Sequence, residues 1–197
     1  MFGGHSVIRR TLEQVAAKDD SFTLLDVGAA SGDTGRFIQT VYPGAAVVNA
    51  DYNATNLEQA SPPKVLANAF ALPFADNSFD FVLSSLFLHH FTDEQAILLL
   101  RSFYRIARRA LLLCDLERNI IPYWFLPLTQ RLFGWKKITV RDGRISVRAA
   151  FRKHELLELC RSAGLERIQA AVYRPAFRIA LVAKKTGCQA DRLKLPE

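Results

Sequence analysis

The chain has 197 residues, half of them hydrophobic, which is enough for one domain with a sizeable core. No apolar run nears the ~20 residues of a membrane span, and Met1-Phe2-Gly3-Gly4-His5 lacks a signal-peptide core, so a cytoplasmic protein is expected. The formal charge of +7 is local: residues 131–153 hold eight of the 26 Lys/Arg and one of the 19 Asp/Glu, leaving 18 of each sign elsewhere.

In chain order, Ile8, Leu12 and Val15 at helical spacing predict a helix over 7–17 with Ser6 as N-cap. Phe22–Leu25 is an apolar run ended by Asp26, read as a strand to Val27. It breaks into a loop carrying Gly28 and Gly32, and Asp33 opens a helix to Val41, stopped by Pro43-Gly44. A strand that ends in a glycine turn at a helix N-terminus can hold a nucleotide-like ligand, because backbone approaches closely and unpaired N–H groups face it. A plain strand-to-helix turn is the alternative. Strand 46–50 ends in Asp51, placed as a carboxylate that accepts from both hydroxyls of a ribose.

A short helix at 54–59, a brief strand at 65–66 and turn chemistry at Asp76-Asn77-Ser78 come next. A strand at 79–84 opens into Ser85-Leu86-Phe87-Leu88-His89-His90-Phe91. Thr92 caps a helix to Ile106, and 110–115 is the fifth strand. Residues 120–135 are rich in aromatics (Tyr123, Trp124, Phe125, Phe133, Trp135), and Pro122 and Pro127 are expected to break any long helix there. In the basic segment Asp142-Gly143 reads as a turn. A helix at 154–163 stopped by Gly164 and apolar runs at 166–173 and 177–183 around Arg174-Pro175 complete the pattern.

Strands alternating with helices predict an α/β fold: a doubly wound, mostly parallel seven-stranded sheet with a C-terminal antiparallel hairpin and helices on both faces. One domain is expected over 1–197, with an N-terminal helix in 1–20, an aromatic and basic insertion at 117–153 and a frayed tail at 186–197. Cys114, Cys160 and Cys188 are odd in number and far apart, giving neither metal spacing nor a disulfide framework.

The motifs together resemble class I methyltransferases that use S-adenosylmethionine (SAM). Leu24-Leu25-Asp26-Val27-Gly28-Ala29-Ala30-Ser31-Gly32 is similar to that family's first motif, with Ala30 where the middle glycine usually stands. Asp51 matches its ribose-binding acid. Asn68-Ala69 matches the pair that reads the adenine edge, with Asn68 in place of the usual aspartate. Leu72-Pro73-Phe74, Asp76 to Asp80 and Leu88-His89-His90-Phe91 resemble the small-molecule branch, including quinone-ring methyltransferases. The resemblance implies SAM as cofactor, with S-adenosylhomocysteine as product and no metal. The cofactor residues it implies are Asp26, Gly28, Ala29, Ala30, Gly32, Asp51, Tyr52, Asn68, Ala69, Phe70, Ser84 and Ser85. It further implies a pocket for a small, aromatic acceptor at Leu86, His89, Tyr123 and Trp124, with the 117–153 insertion as its cover.

Methyl transfer needs a base only when the acceptor must lose a proton, and His89 and His90 are the candidates; structural packing of either is the alternative. His154 and His5 read as surface and terminal residues. Asp115 either lines the acceptor side or caps a strand end. The basic segment suits nucleic acid, an acidic ligand, a peripheral contact with an anionic membrane or a solvated face. A phenolic, quinone-like or polyketide-derived acceptor is expected. An RNA methyltransferase and a non-catalytic SAM-binding protein are the alternatives. A nucleic-acid partner is disfavoured because no Asn/Asp-Pro-Pro-Tyr loop follows the fourth strand. Monomer and homodimer are both compatible with the sequence.

Overall fold

The structure, a computed structural model, describes residues 3–133 and 137–186. The seven strands are β1 (Phe22–Val27), β2 (Ala45–Asp51), β3 (Lys64–Leu66), β4 (Phe79–Ser85), β5 (Ala107–Leu116), β6 (Ile168–Tyr173) and β7 (Arg178–Lys184). They form one sheet in the order β3-β2-β1-β4-β5-β7-β6. The pairs β3–β2, β2–β1, β1–β4 and β4–β5 are parallel, and β7 runs antiparallel to both β5 and β6. The predicted sheet with its closing hairpin is therefore present. The strand order reverses beside β1, which leaves a crevice at the strand C-termini there.

Successive strand residues point to opposite faces, and each face has its own core. Leu25, Val82, Leu111 and Leu181 meet α4 (Asp93–Ile106) and α7 (Lys153–Ser162) through Leu99, Phe103 and Leu156. Leu24, Phe81, Leu112 and Val182 meet α1 (Gly4–Leu12) and α2 (Asp33–Val41) through Ile8, Leu12 and Ile38. The α4 N-terminus is a full capping box between Thr92 and Gln95. A short α3 (Ala54–Glu58), capped by Asn53, links β2 to β3.

Three local expectations are corrected. The first helix starts and stops earlier than predicted: Gly3, at φ 75°, is its N-cap, while the Ser6 hydroxyl donates to the Gly3 carbonyl. Pro122 and Pro127 do not break the aromatic segment, which is helix α5 (Ile120–Phe133). Pro122 lies in the first turn, where its missing N–H has no partner to lose, and the helix runs on through Pro127. Asp142-Gly143 is no turn but part of α6 (Lys137–Ala149). The α6 helix packs on α5, with the Arg144 guanidinium 4.5 Å from the Tyr123 ring centre and 5.4 Å from that of Trp124, and buries Val147. Such tertiary contact outweighs the ~1 kcal/mol that a helical glycine costs. At the other end, Lys185 donates to Arg109 and Asn77, so the ordered chain reaches past β7. Trp135, Cys188 and the tail at 187–197 lie outside the described residues.

Candidate functional site

The crevice forms where β1, β2 and β4 end. Gly28 takes φ 75°, a left-handed conformation that disfavours any Cβ. Its N–H and that of Ala29 donate to the Ala50 carbonyl, which ties the loop to β2. A Cβ on Gly28 would lie 2.4 Å from the Phe87 ring, so the loop after β4 rests directly on the glycine. Ala30 and Leu86 are also left-handed, at φ 47° and 54°. Both residues line the crevice, a concentration of strain typical of functional loops.

Asp51 closes the β2 side. One carboxylate oxygen accepts from the Ala30 N–H at 2.8 Å and the other from the Asn53 N–H at 2.8 Å. A carboxylate has about four acceptor positions, so two backbone bonds fix its plane and leave capacity facing outward. After β3, the Asn68 side chain accepts from the Phe70 N–H and caps a 3-10 turn over Ala69–Ala71. The rings of Phe70 and Phe91 meet edge-on at 5.5 Å, and Phe91 leans on Phe87 at 4.9 Å.

Together these groups bound a cavity of about 750 Å3. Seven of the twelve predicted cofactor residues line it: Gly28, Ala30, Asp51, Tyr52, Asn68, Ala69 and Phe70. Ala29 and Ser85 instead line a second cavity of about 270 Å3 on the α1 side, where His5, stacked on Phe37, also lies. Asp26, Gly32 and Ser84 line neither. Gly32, at φ 72°, is the N-cap of α2 and packs against Ala60. Ser84 is buried with no hydrogen-bond partner. Asp26 is fully buried beneath the turn with one oxygen unpartnered. Burial, with a smaller contribution from the Asp51 charge, pushes its carboxyl up to about 7. Sequence reading missed the apolar walls Ala50, Ala67, Leu72, Phe87 and Phe91, since lining a cavity leaves no signature beyond hydrophobicity.

The acceptor residues need correcting more than the cofactor ones. His89 is buried: its Nδ1 lies 2.6 Å from an Asp115 oxygen, and its backbone N–H donates to the other oxygen. His89 lines neither cavity, and its side chain is the buried partner of Asp115. His90 is exposed and lines the large cavity. Burial, and then the neighbouring His89, lower its pKa below the usual imidazole value. Leu86 lines both cavities. Tyr123 and Trp124 line neither; they are clasped by Arg144, and Trp124 is half exposed. His154 is exposed at the start of α7. Among the described residues no group of three His, Cys, Asp or Glu side chains could hold a metal, and no helix is long and apolar enough to cross a membrane.

A glycine turn, a two-point-anchored carboxylate and a capped Asn-Ala turn stand together at the reversal point of this sheet. Known proteins share this fold and part of this sequence. Residues 25–112 match the family model described as "Methyltransferase domain". A ubiquinone/menaquinone biosynthesis C-methyltransferase from Klebsiella pneumoniae is 32% identical over 134 residues, 61% of this chain and 53% of that protein. The Pasteurella multocida counterpart is 33% identical over 54% of this chain and 44% of its own length. The chain thus spans about half the length of the curated relatives it matches. Among solved structures, a SAM-dependent methyltransferase from Aquifex aeolicus superposes with a TM-score of 0.66 at 15% identity, covering 93% of this chain and 89% of that one. Human N-acetylserotonin methyltransferase in complex with SAM does so at 0.66 and 16%, covering 93% and 52%. At these identities the likeness establishes the fold.

Proposed function

We propose that the protein transfers the methyl group of SAM to a small aromatic acceptor, phenolic, quinone-like or polyketide-derived. The observation that carries this is the 750 Å3 cavity whose walls include Asp51, Asn68, Leu86 and His90. Its donors and acceptors fit the cofactor. Asp51 has acceptor capacity for a ribose diol, Asn68 and the Ala69 backbone offer an amide edge to adenine, and Gly28 leaves room for close backbone approach. Bound SAM supplies an activated methyl on a sulfonium for in-line displacement. The protein's part is then orientation and exclusion of water, worth several orders of magnitude in rate. Leu86 and Phe87 supply the apolar wall. His90, held neutral near pH 7 by its lowered pKa, is the residue placed to take a proton from an acidic acceptor.

The names of the quinone C-methyltransferases that the chain resembles favour a quinone-like ring. Helix α5 exposes the apolar side chains Ile120, Ile121 and Phe125, and α6, packed on it, exposes Arg141 and Arg148. They suit a peripheral contact with an anionic bilayer carrying such an acceptor. Binding to phosphatidylglycerol vesicles at low salt, and not to phosphatidylcholine vesicles, is the expected result. The central experiment offers radiolabelled SAM with panels of phenols, quinones and RNA. Label is expected in a phenol or quinone; transfer to RNA alone, or no SAM binding by calorimetry at millimolar concentration, would refute the proposal.

A further inference from the structure

His90 reaches the larger cavity from a short 3-10 turn after β4, Leu88–His90. The turn has no cap of its own: Phe87, at its N-terminal end, supplies no side-chain hydrogen bond. The missing acceptor comes from β5. The buried Asp115 carboxylate accepts from the His89 N–H at 3.3 Å and from the Leu116 N–H at 2.7 Å, and it lies 2.6 Å from His89 Nδ1. A carboxylate only accepts, so Nδ1 carries the proton of that bond. One acid thus grips His89 by backbone and ring at once, immediately before His90.

The two imidazole rings then lie with centres 4.1 Å apart and planes at 41°. Like charges that close oppose each other. The lowered pKa of His90 accordingly has the His89 charge as its second cause after burial, with Asp115 acting the other way. The remaining ionisable groups nearby have other places. Asp51 and Tyr52 line the same cavity. Helix α6, packed on the turn, brings Arg141, Asp142 and Arg148, all exposed, and Arg144, held on Tyr123 and Trp124. Arg178 of β7 and the Cys114 thiol feel the Asp115 charge. Apolar side chains of similar volume stabilise a core as well as a buried acid–imidazole pair does. What the pair adds is a fixed direction for the turn.

We infer that Asp115 and His89 are positioning residues for methyl transfer to acceptors that must lose a proton: Asp115 clamps the turn that presents His90, and His89 carries the clamp to the His90 ring. This inference rests on the reading of His90 as the proton acceptor of the proposed reaction.

The test is NMR of the full chain with isotope-labelled histidine, the His90 signal being assigned through His90→Asn. In the wild type that signal should titrate below the ordinary histidine value and shift when S-adenosylhomocysteine is added. His89→Asn keeps an amide N–H for Asp115 but no charge. It should leave S-adenosylhomocysteine affinity by calorimetry within about twofold and move the His90 midpoint to higher pH. Asp115→Asn keeps the shape but cannot accept from ring and backbone together as the carboxylate does, so the His90 shift on adding S-adenosylhomocysteine should shrink. Circular dichroism checks that both variants fold. An unchanged His90 midpoint in His89→Asn, or a full His90 shift in Asp115→Asn, would overturn the inference and leave the pair a purely structural one. Failure of S-adenosylhomocysteine to bind would sink the larger-cavity reading instead, while the pH titration, which uses no ligand, still judges the pair. Unchanged turnover in His90→Asn would remove the base reading, and this inference with it.

Discussion

Asp26 should make the protein less stable as pH rises from 4 to 8, and Asp26→Asn should remove that dependence. Its carboxyl is fully buried under the Gly28 turn, one oxygen has no partner, and its pKa rises from 3.8 to about 7. A folded-state pKa above the unfolded one means that the native state holds a proton the unfolded chain releases. The associated stability is complete below about pH 3.8, falls as pH rises toward 7 and is gone above it. Moving a carboxyl from 3.8 to about 7 corresponds to on the order of 4 kcal/mol, at about 1.4 kcal/mol per pH unit. Asn has nearly the same shape and no charge, so the variant should gain about that much on the wild type between pH 4 and 8. Urea unfolding followed by circular dichroism at half-unit pH intervals measures the gap directly. Parallel pH profiles for the two proteins, within about 0.5 kcal/mol, would refute the reasoning. Because burial outranks the Asp51 charge as the cause, Asp51→Asn should flatten the wild-type profile only in small part.

Four further outcomes follow from the same geometry. Gly28→Ala places a Cβ 2.4 Å from the Phe87 ring in a left-handed backbone, so a thermal melt should show a loss of about 2–4 kcal/mol, together with weakened SAM binding. Asp51→Ala removes the acceptor of the Ala30 and Asn53 N–H groups as well as the ribose anchor; calorimetry should show SAM binding weakened by about tenfold or more. His89→Ala strands the buried Asp115 carboxylate and should cost about 3–5 kcal/mol by chemical denaturation. His90→Asn, on the exposed cavity wall, should stay within about 0.5 kcal/mol of wild type and lower turnover only on acceptors that must lose a proton.

Much of the cofactor half could be read from residues in a row. A glycine turn, the strand-ending Asp51 and the Asn68-Ala69 cap are local features, and each forms through bonds to neighbours in sequence or on the adjacent strand. The sheet was legible for a related reason: runs such as Phe81–Leu83 and Leu111–Leu113 are apolar at every position, as strands covered on both faces must be. The acceptor half could not be read this way. Two adjacent histidines look alike in sequence, and only the partner 26 residues later, Asp115, decides that His89 turns inward and His90 outward. The prolines and the Asp142-Gly143 pair misled because their local preference, about a kcal/mol for the glycine, is smaller than the packing of α6 on α5. Tyr123 and Trp124 left the expected pocket because Arg144, on another helix, holds them. Sequence by itself determined the fold class, the turn and the acid at Asp51, where chemistry and backbone demands are local. Tertiary structure alone decided which side chains face a cavity and which face one another, because Arg178 and Ser85 come to line one cavity only once β7 has crossed to lie beside β5.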